Sequence, residues 1–309
     1  MEARSGAGIA ASGNRLYVAG GVSIEKGFLR SVEWTVRDPD GRLEPWRPAS
    51  SLTVPRGFLA LVAADGYLYA IGGANDRNGR NLLNSVERAR ILEDGSLSPW
   101  TRVSPLTTPR RGPAALVSGA YIYVIGGYNG IFLRSLERAR FSSNGELGKW
   151  ETIGPLLTTD RYIHGAALNG DHVYVIGGHV QAQGGGKGST EWARIAGDGS
   201  IENWRSAPSL LSPRFLAAVA AAGNCVFVLG GYDGNYMASV ERSKVLSDGS
   251  LGPWATAAPL TAPREGSAAI SVEGAIYLMG GSRKGVYLQD GEMAWVNDQG
   301  ELGHWEPDN

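Results

Sequence analysis

Six arginines are the first residues of this chain whose type and spacing suggest chemistry: Arg4, Arg56, Arg110, Arg161, Arg214 and Arg264. Sixteen residues after each comes the first glycine of a pair, at Gly20, Gly72, Gly126, Gly177, Gly230 and Gly280. A glutamate follows in every case (Glu33, Glu87, Glu137, Glu191, Glu241 and Glu292). A guanidinium holds a carboxylate through two parallel N–H donors, so two readings arise. Either Arg56, Arg110, Arg161, Arg214 and Arg264 clasp an anionic ligand, or each arginine is braced on the glutamate of its own unit. Strict six-fold recurrence is what the brace predicts, and a mixture with one or two arginines facing ligand stays open.

Other reactive groups are sparse. Three of the four histidines fall in one stretch, as His164, His172 and His179. If a turn centres on Gly170-Asp171, His179 pairs with Tyr162 and His164 lies diagonal to it, about 7–8 Å away. That distance suits a shared ligand or, with Asp160, a metal or acid–base pair, whereas His172 falls on the opposite rim. Two histidines are a thin ligand set, and the expectation is no metal and no cofactor. The glycine-rich run from Gln181 to Gly188 lacks the Lys-Ser/Thr ending and following helix of a phosphate-binding loop. No Ser-His-Asp, HExxH or CxxC arrangement occurs, and no catalytic residue is assigned.

The intervals show what positions these residues. A tryptophan (Trp46, Trp100, Trp150, Trp204, Trp254 and Trp305) lies thirteen residues after each glutamate. The step from glycine pair to glutamate, by contrast, runs 13, 15, 11, 14, 11 and 12. Each constant interval reads as a hairpin. A small-residue strand such as Ala217 to Ala222 turns into an apolar run ending at the glycine pair. A second strand carrying the glutamate turns at Asp-Gly or Asn-Gly, dipeptides that accept φ > 0, and returns to the tryptophan. Two hairpins make four strands, a to d, once per unit. The arginine opens strand a, and Ala-rich strand a suits the innermost place in a ring. This predicts an all-β, six-bladed β-propeller in one domain, with blades at about 4–48, 56–102, 110–152, 161–206, 214–256 and 264–306. Each blade is contiguous in sequence, so closure is expected by blade 1 packing on blade 6 without strand exchange. The repeated tryptophans are expected in the core, and Trp34, Trp192 and Trp295 in blade packing.

With the apolar run before the double glycine, the segments SVER (Ser85 to Arg88, Ser239 to Arg242) and SLER (Ser135 to Arg138), and the later tryptophan, the chain resembles the kelch family in a divergent form. Kelch repeats usually place a tyrosine two residues after the glutamate. Here Thr35, Ala89, Ala139, Ala193, Ser243 and Ala294 stand there, and the c–d hairpin is longer. The resemblance implies a propeller whose b–c/d–a face meets ligands, with arginines that clasp acidic peptides. Copper radical oxidases on kelch-like propellers need a cysteine cross-linked to tyrosine, but Cys225 begins a strand b on the other rim. The partner-recruiting domains of animal kelch adaptors have no counterpart in the sequence, so a ubiquitin-ligase role is not expected.

Constant turns occupy one rim and all length variation the other, and binding residues gather on variable loops held by a rigid scaffold. Residues that differ between blades on that rim are Phe58, Arg111, Tyr162, His164, Phe215 and Glu265 after the arginines. The b–c loops add Lys26, Phe28, Arg77, Tyr128, Phe132, His179, Tyr232, Tyr236, Arg283 and Tyr287. Aromatics mixed with polar groups suit a peptide, protein or glycan. The expected function is therefore a non-catalytic binding module around the channel mouth. The alternative is an isomerase, lyase or hydrolase acting on a small polar or anionic substrate there. A deep polar mouth with free arginines and an exposed His164 would mark the enzyme; a shallow aromatic surface would mark the binder. Net charge of −1 gives no reason to expect nucleic acid or an anionic membrane, and a monomer is expected. The lone cysteine and the absence of a leader-like start imply a cytoplasmic location if these residues are the whole protein, and a secreted one if they are a piece of a longer chain.

Overall fold

A computed structural model of the chain describes residues 1–76, 80–179 and 185–308, and among these there is no α-helix. No helix is therefore long and apolar enough to cross a membrane. The strands form six four-stranded antiparallel sheets in the order a-b-c-d, the blades of a six-bladed β-propeller. Blade 3 shows the pattern: Ala114–Ser118, Tyr121–Ile125, Leu136–Arg140 and Glu151–Ile153. Its registers, Ser118 opposite Tyr121 and Ile125 opposite Leu136, put Val124 beside Glu137. Blade 6 completes itself from Gly291–Trp295 and Glu306–Pro307, so the terminal blades exchange no strand. Strand a of every blade packs on strand a of the next, and that of blade 6 on that of blade 1.

Two details depart from the sequence reading. Strand a begins four residues after each arginine, not at it, as with Ala60 after Arg56 and Ala218 after Arg214. In blades 1 and 6 the b–c segment is itself a small hairpin, Val22–Ser23 with Gly27–Phe28 and Ser282–Arg283 with Val286–Tyr287.

Apolar alternation along strands a, b and c buries a separate core at each blade junction. Between blades 6 and 1 that core includes Leu16, Val18, Tyr277 and Met279. Each junction is also latched by a hydrogen bond that the pattern of apolar residues hides. The mid-strand-b tyrosine donates its hydroxyl proton to the glycine carbonyl in the next blade's c–d turn: Tyr17 to Gly95, Tyr69 to Gly145, Tyr123 to Gly199 and Tyr174 to Gly249, at 2.7–3.0 Å. Tyr277 donates to Gly41 at 2.6 Å and closes the ring the same way. Blade 5 has Phe227 at this position, and the Arg242 guanidinium serves the Gly300 carbonyl instead. Five of the repeat tryptophans are buried and donate their indole N–H to the preceding d–a loop, as Trp100 does to Ser50. Trp46 is only partly buried. Trp34 and Trp192 are buried, but Trp295 is 41% exposed under the Arg37 guanidinium.

Candidate functional site

The arginines lie inside the blades. Arg110 donates to the Gly126 and Ser135 carbonyls and the Ser135 hydroxyl, and pairs with Glu137 at 2.5 Å. The remaining capacity of Glu137 is taken by the backbone N–H groups of Thr107 and Thr108. Arg4, Arg56, Arg161 and Arg214 repeat this brace on Glu33, Glu87, Glu191 and Glu241 at 2.5–2.7 Å. Blade 6 is looser: Asp290 replaces the serine, and Arg264 stands 3.2 Å from both Asp290 and Glu292. All six arginines are at most 3% exposed. Burial lowers the pKa of Arg56, Arg110, Arg161 and Arg214, against the raising effect of their glutamates. A ligand on the face meets none of these guanidiniums unless a brace opens, so the clasp expected of Arg56, Arg110, Arg161, Arg214 and Arg264 gives way to the internal reading. The serine of SVER and SLER, quoted from the sequence only as a family mark, proves to be the third member of the brace.

Above the braces the channel mouth is drawn closed by backbone. The residue two places after each arginine has positive φ: Gly6, Phe58, Gly112, Ile163, Leu216 and Gly266, between 47° and 63°. That twist aims each N–H at its counterpart in the preceding blade. Gly6 donates to Gly266, Phe58 to Gly6, Gly112 to Phe58, Ile163 to Gly112, Leu216 to Ile163 and Gly266 to Leu216, at 2.7–3.3 Å. The six bonds form a closed iris. Left-handed backbone costs about 1–2 kcal/mol at a non-glycine residue, and Phe58, Ile163 and Leu216 carry that cost within the ring. The Phe58 ring fills the space a side chain on Gly6 would need, and Tyr162 and Ile163 fill that over Gly112. Behind the iris lies a channel of about 310 Å³ lined by strand-a residues such as Ala10, Val62, Leu116 and Val219.

His164 borders the throat at the iris but is closed off there. It is 7% exposed, its ring sits over Gly126 of blade 3, and neither ring nitrogen has a hydrogen-bond partner. Burial, aided by the Arg161 charge, pushes its pKa down to about 3, so it is a neutral core side chain. The pairing of Tyr162 with His179 is as the turn predicted. The His179 ring, however, packs on Phe132 and Phe215, not beside His164. Among the described residues no three His, Cys, Asp or Glu side chains are grouped to hold an ion.

What the face does present is a ridge of rings across blades 3, 4 and 5. Tyr128, Phe132 and Tyr162 pack mutually at 5.6–5.7 Å between ring centres. Phe132 meets His179 at 5.4 Å, His179 meets Phe215 at 5.1 Å, Phe215 meets Tyr232 at 5.5 Å and Tyr232 meets Tyr236 at 5.3 Å. These rings are half-buried. Most contacts are edge-to-face, which holds each ring against its neighbours. Arg111 lies over Tyr128 and Tyr162 at 4.9 and 5.1 Å. Exposed apolar side chains stand on the same rim: Ile131 and Leu211 beside the ridge, and Ile24 and Val286 at the tips of the blade 1 and blade 6 hairpins. Arg283 is exposed on the blade 6 hairpin, and Tyr287 lines a cleft of about 430 Å³ with Ile24, Lys26 and Glu2. Arg77 lies outside the described residues. Spacing alone brought the ridge residues to one rim; their mutual stacking was not visible in it.

Comparison with known proteins agrees with this architecture. The family model described as Kelch motif matches residues 109–138 and 213–242, in blades 3 and 5. The human Kelch repeat and BTB domain-containing protein 13 is 38% identical over 120 residues, 37% of this chain and 23% of that protein. Alpha-scruin of Limulus polyphemus is 25% identical over 196 residues, 63% of this chain and 21% of that protein. The chain thus spans about a fifth of the length of these curated relatives. Among solved structures, one titled "Structure of YjhT" aligns with a TM-score of 0.78 at 15% identity, covering 100% of this chain and 98% of that one, a likeness of fold.

Proposed function

Because this chain belongs to the kelch-repeat family, we propose that it is a non-catalytic binding module for a protein or peptide partner, which it holds on the b–c/d–a face. The aromatic ridge of blades 3 to 5 carries the proposal. Locked rings offer a large contact area with little rotamer entropy left to lose, which is how aromatic anchors concentrate binding energy. The exposed Ile131 and Leu211 flanking them add apolar rim. The feature expected of an enzyme, a deep polar mouth with free arginines and an open His164, has no support: the mouth is an iris of peptide bonds and His164 is buried. Peptide is favoured over glycan because the exposed Ile131 and Leu211 on this rim offer apolar contacts that a side chain uses and a sugar does not.

A photocrosslinking residue placed at Tyr236, on the ridge, and in a second protein at Leu92, on the opposite rim, tests this in extract of the source organism. Captured species are identified by mass spectrometry and remade pure. The expected result is a protein captured only from position 236, whose affinity for the purified module falls at least about tenfold in Phe215→Ala or Tyr232→Ala. Equal capture from both positions, or affinity indifferent to the ridge, would overturn it.

A further inference from the structure

The residue immediately after each arginine occupies the same place in all six blades, around the rim of the iris. In blade order these residues are Ser5, Gly57, Arg111, Tyr162, Phe215 and Glu265. The ring holds one cation and one anion. They belong to blades 3 and 6, three steps apart in a ring of six and so diametrically opposite. On one side the rim between them is aromatic, with Tyr162 and Phe215; on the other it is small, with Ser5 and Gly57.

Among the described residues neither charge has a counterion. The Arg111 guanidinium rests on the two tyrosine rings, and its buried Nε has no hydrogen-bond partner. Among the described residues the half-buried Glu265 carboxylate takes only the Ser282 hydroxyl, at 3.3 Å. Burial raises its pKa, as expected of an acid held without a cation. Charges left half-desolvated and unpaired are costly in a free protein and are recovered when a ligand supplies the partner.

Resting on the reading of this face as a peptide-binding one, we infer that it selects a dipolar segment. An acidic residue sits over Arg111, a basic residue over Glu265, and the chain between them lies against the Tyr162 and Phe215 wall. The two charges fix the direction in which the segment runs, which an aromatic wall alone cannot do.

The probe is a phage-displayed library of random linear peptides panned on the full chain. The expected consensus carries one acid and one base at a constant separation with an apolar residue between. Arg111→Gln or Glu265→Gln should weaken the synthetic consensus peptide roughly tenfold or more. The charge reversal Arg111→Glu with Glu265→Lys should enrich peptides with acid and base in the opposite order. Thermal melts of each variant confirm that the propeller is intact. If the wild type selects peptides that Phe215→Ala loses but the charge variants keep, the dipolar inference is overturned and the aromatic face stands. If the charge-reversed protein returns the same consensus, the inference falls as well. If no peptide is enriched over the Phe215→Ala protein, both the inference and the peptide-binding reading fall.

Discussion

At the scale of single residues, one position in each blade shows how equivalent places acquire different burdens. His164 stands where blade 2 has Leu59 and blade 5 has Ala217, three residues after the arginine. Its two ring nitrogens are buried without partners, in a site where a hydrocarbon side chain would leave nothing unsatisfied. A buried polar group without a partner costs about 1–3 kcal/mol. His164→Leu is therefore expected to stabilise the protein by about 1–2 kcal/mol near neutral pH, read from the midpoint of denaturant unfolding. The gain should grow in acid. The folded pKa, about 3, lies below the ordinary value near 6.5, so between these limits the unfolded chain binds a proton that the folded chain refuses. Wild-type stability should fall as pH drops through that window, more steeply than that of the leucine variant. Parallel pH curves for the two proteins would show that the imidazole is not buried neutral. Binding should be unchanged, because His164 does not touch the ridge.

At the scale of elements, the iris couples stability to the face. Gly112 has φ of 59°, and a side chain there would come within 2.6 Å of the Tyr162 ring and 2.9 Å of Ile163. Gly112→Ala thus combines left-handed strain with a push against the first ring of blade 4. A cost of about 1–3 kcal/mol is expected, together with weaker partner binding, since Tyr162 hands its position on to Phe132 and Tyr128. Gly119→Ala, in an a–b turn on the other rim with open space around it, serves as the control: strained by its φ of 56°, it should lower stability yet leave affinity unchanged. Equal affinity in the two variants would uncouple iris and ridge. The hairpins and their register were legible in the sequence because strand period, Asp-Gly turns and the constant Arg-to-Gly interval all encode local geometry. The Arg–Glu brace was legible from recurrence: arginine and glutamate hold the same strand positions in all six blades, although the b–c loop varies their separation in sequence. The iris was not, because Gly6, Phe58, Gly112, Ile163, Leu216 and Gly266 share a backbone angle and no side-chain type. Nor was the stacking of the ridge, where partners such as His179 and Phe215 come from different blades and meet only after the ring closes.

At the scale of the whole molecule, closure repeats the ordinary junction with one change. Tyr277 latches to Gly41 as Tyr69 does to Gly145, and Arg4 donates its N–H to Leu288 as Arg56 does to Leu29. The place of the tryptophan differs. Trp100, Trp150, Trp204, Trp254 and Trp305 give their indole N–H to neutral backbone carbonyls of the preceding blade, whereas Trp46 is influenced instead by the Asp308 carboxylate beside it. That carboxylate accepts the Gly291 N–H at 2.6 Å. Burial outweighs these interactions and pushes its pKa up to about 6. A carboxyl whose folded pKa is raised adds stability below its ordinary value near 3.8, and the addition is lost as pH rises through the folded value. The blade 6–blade 1 junction should consequently be the one that loosens as pH rises from about 4 to about 7. Asp308→Asn keeps an oxygen acceptor and removes the charge, so its Tm should exceed that of the wild type above about pH 7 and converge with it only as pH falls to about 4. Hydrogen exchange at the Gly291 amide should slow in the same variant at the higher pH. A variant that melts at or below the wild-type temperature across that range would mean that the ionised carboxylate strengthens closure, and that the last junction of the ring is held by charge rather than weakened by it.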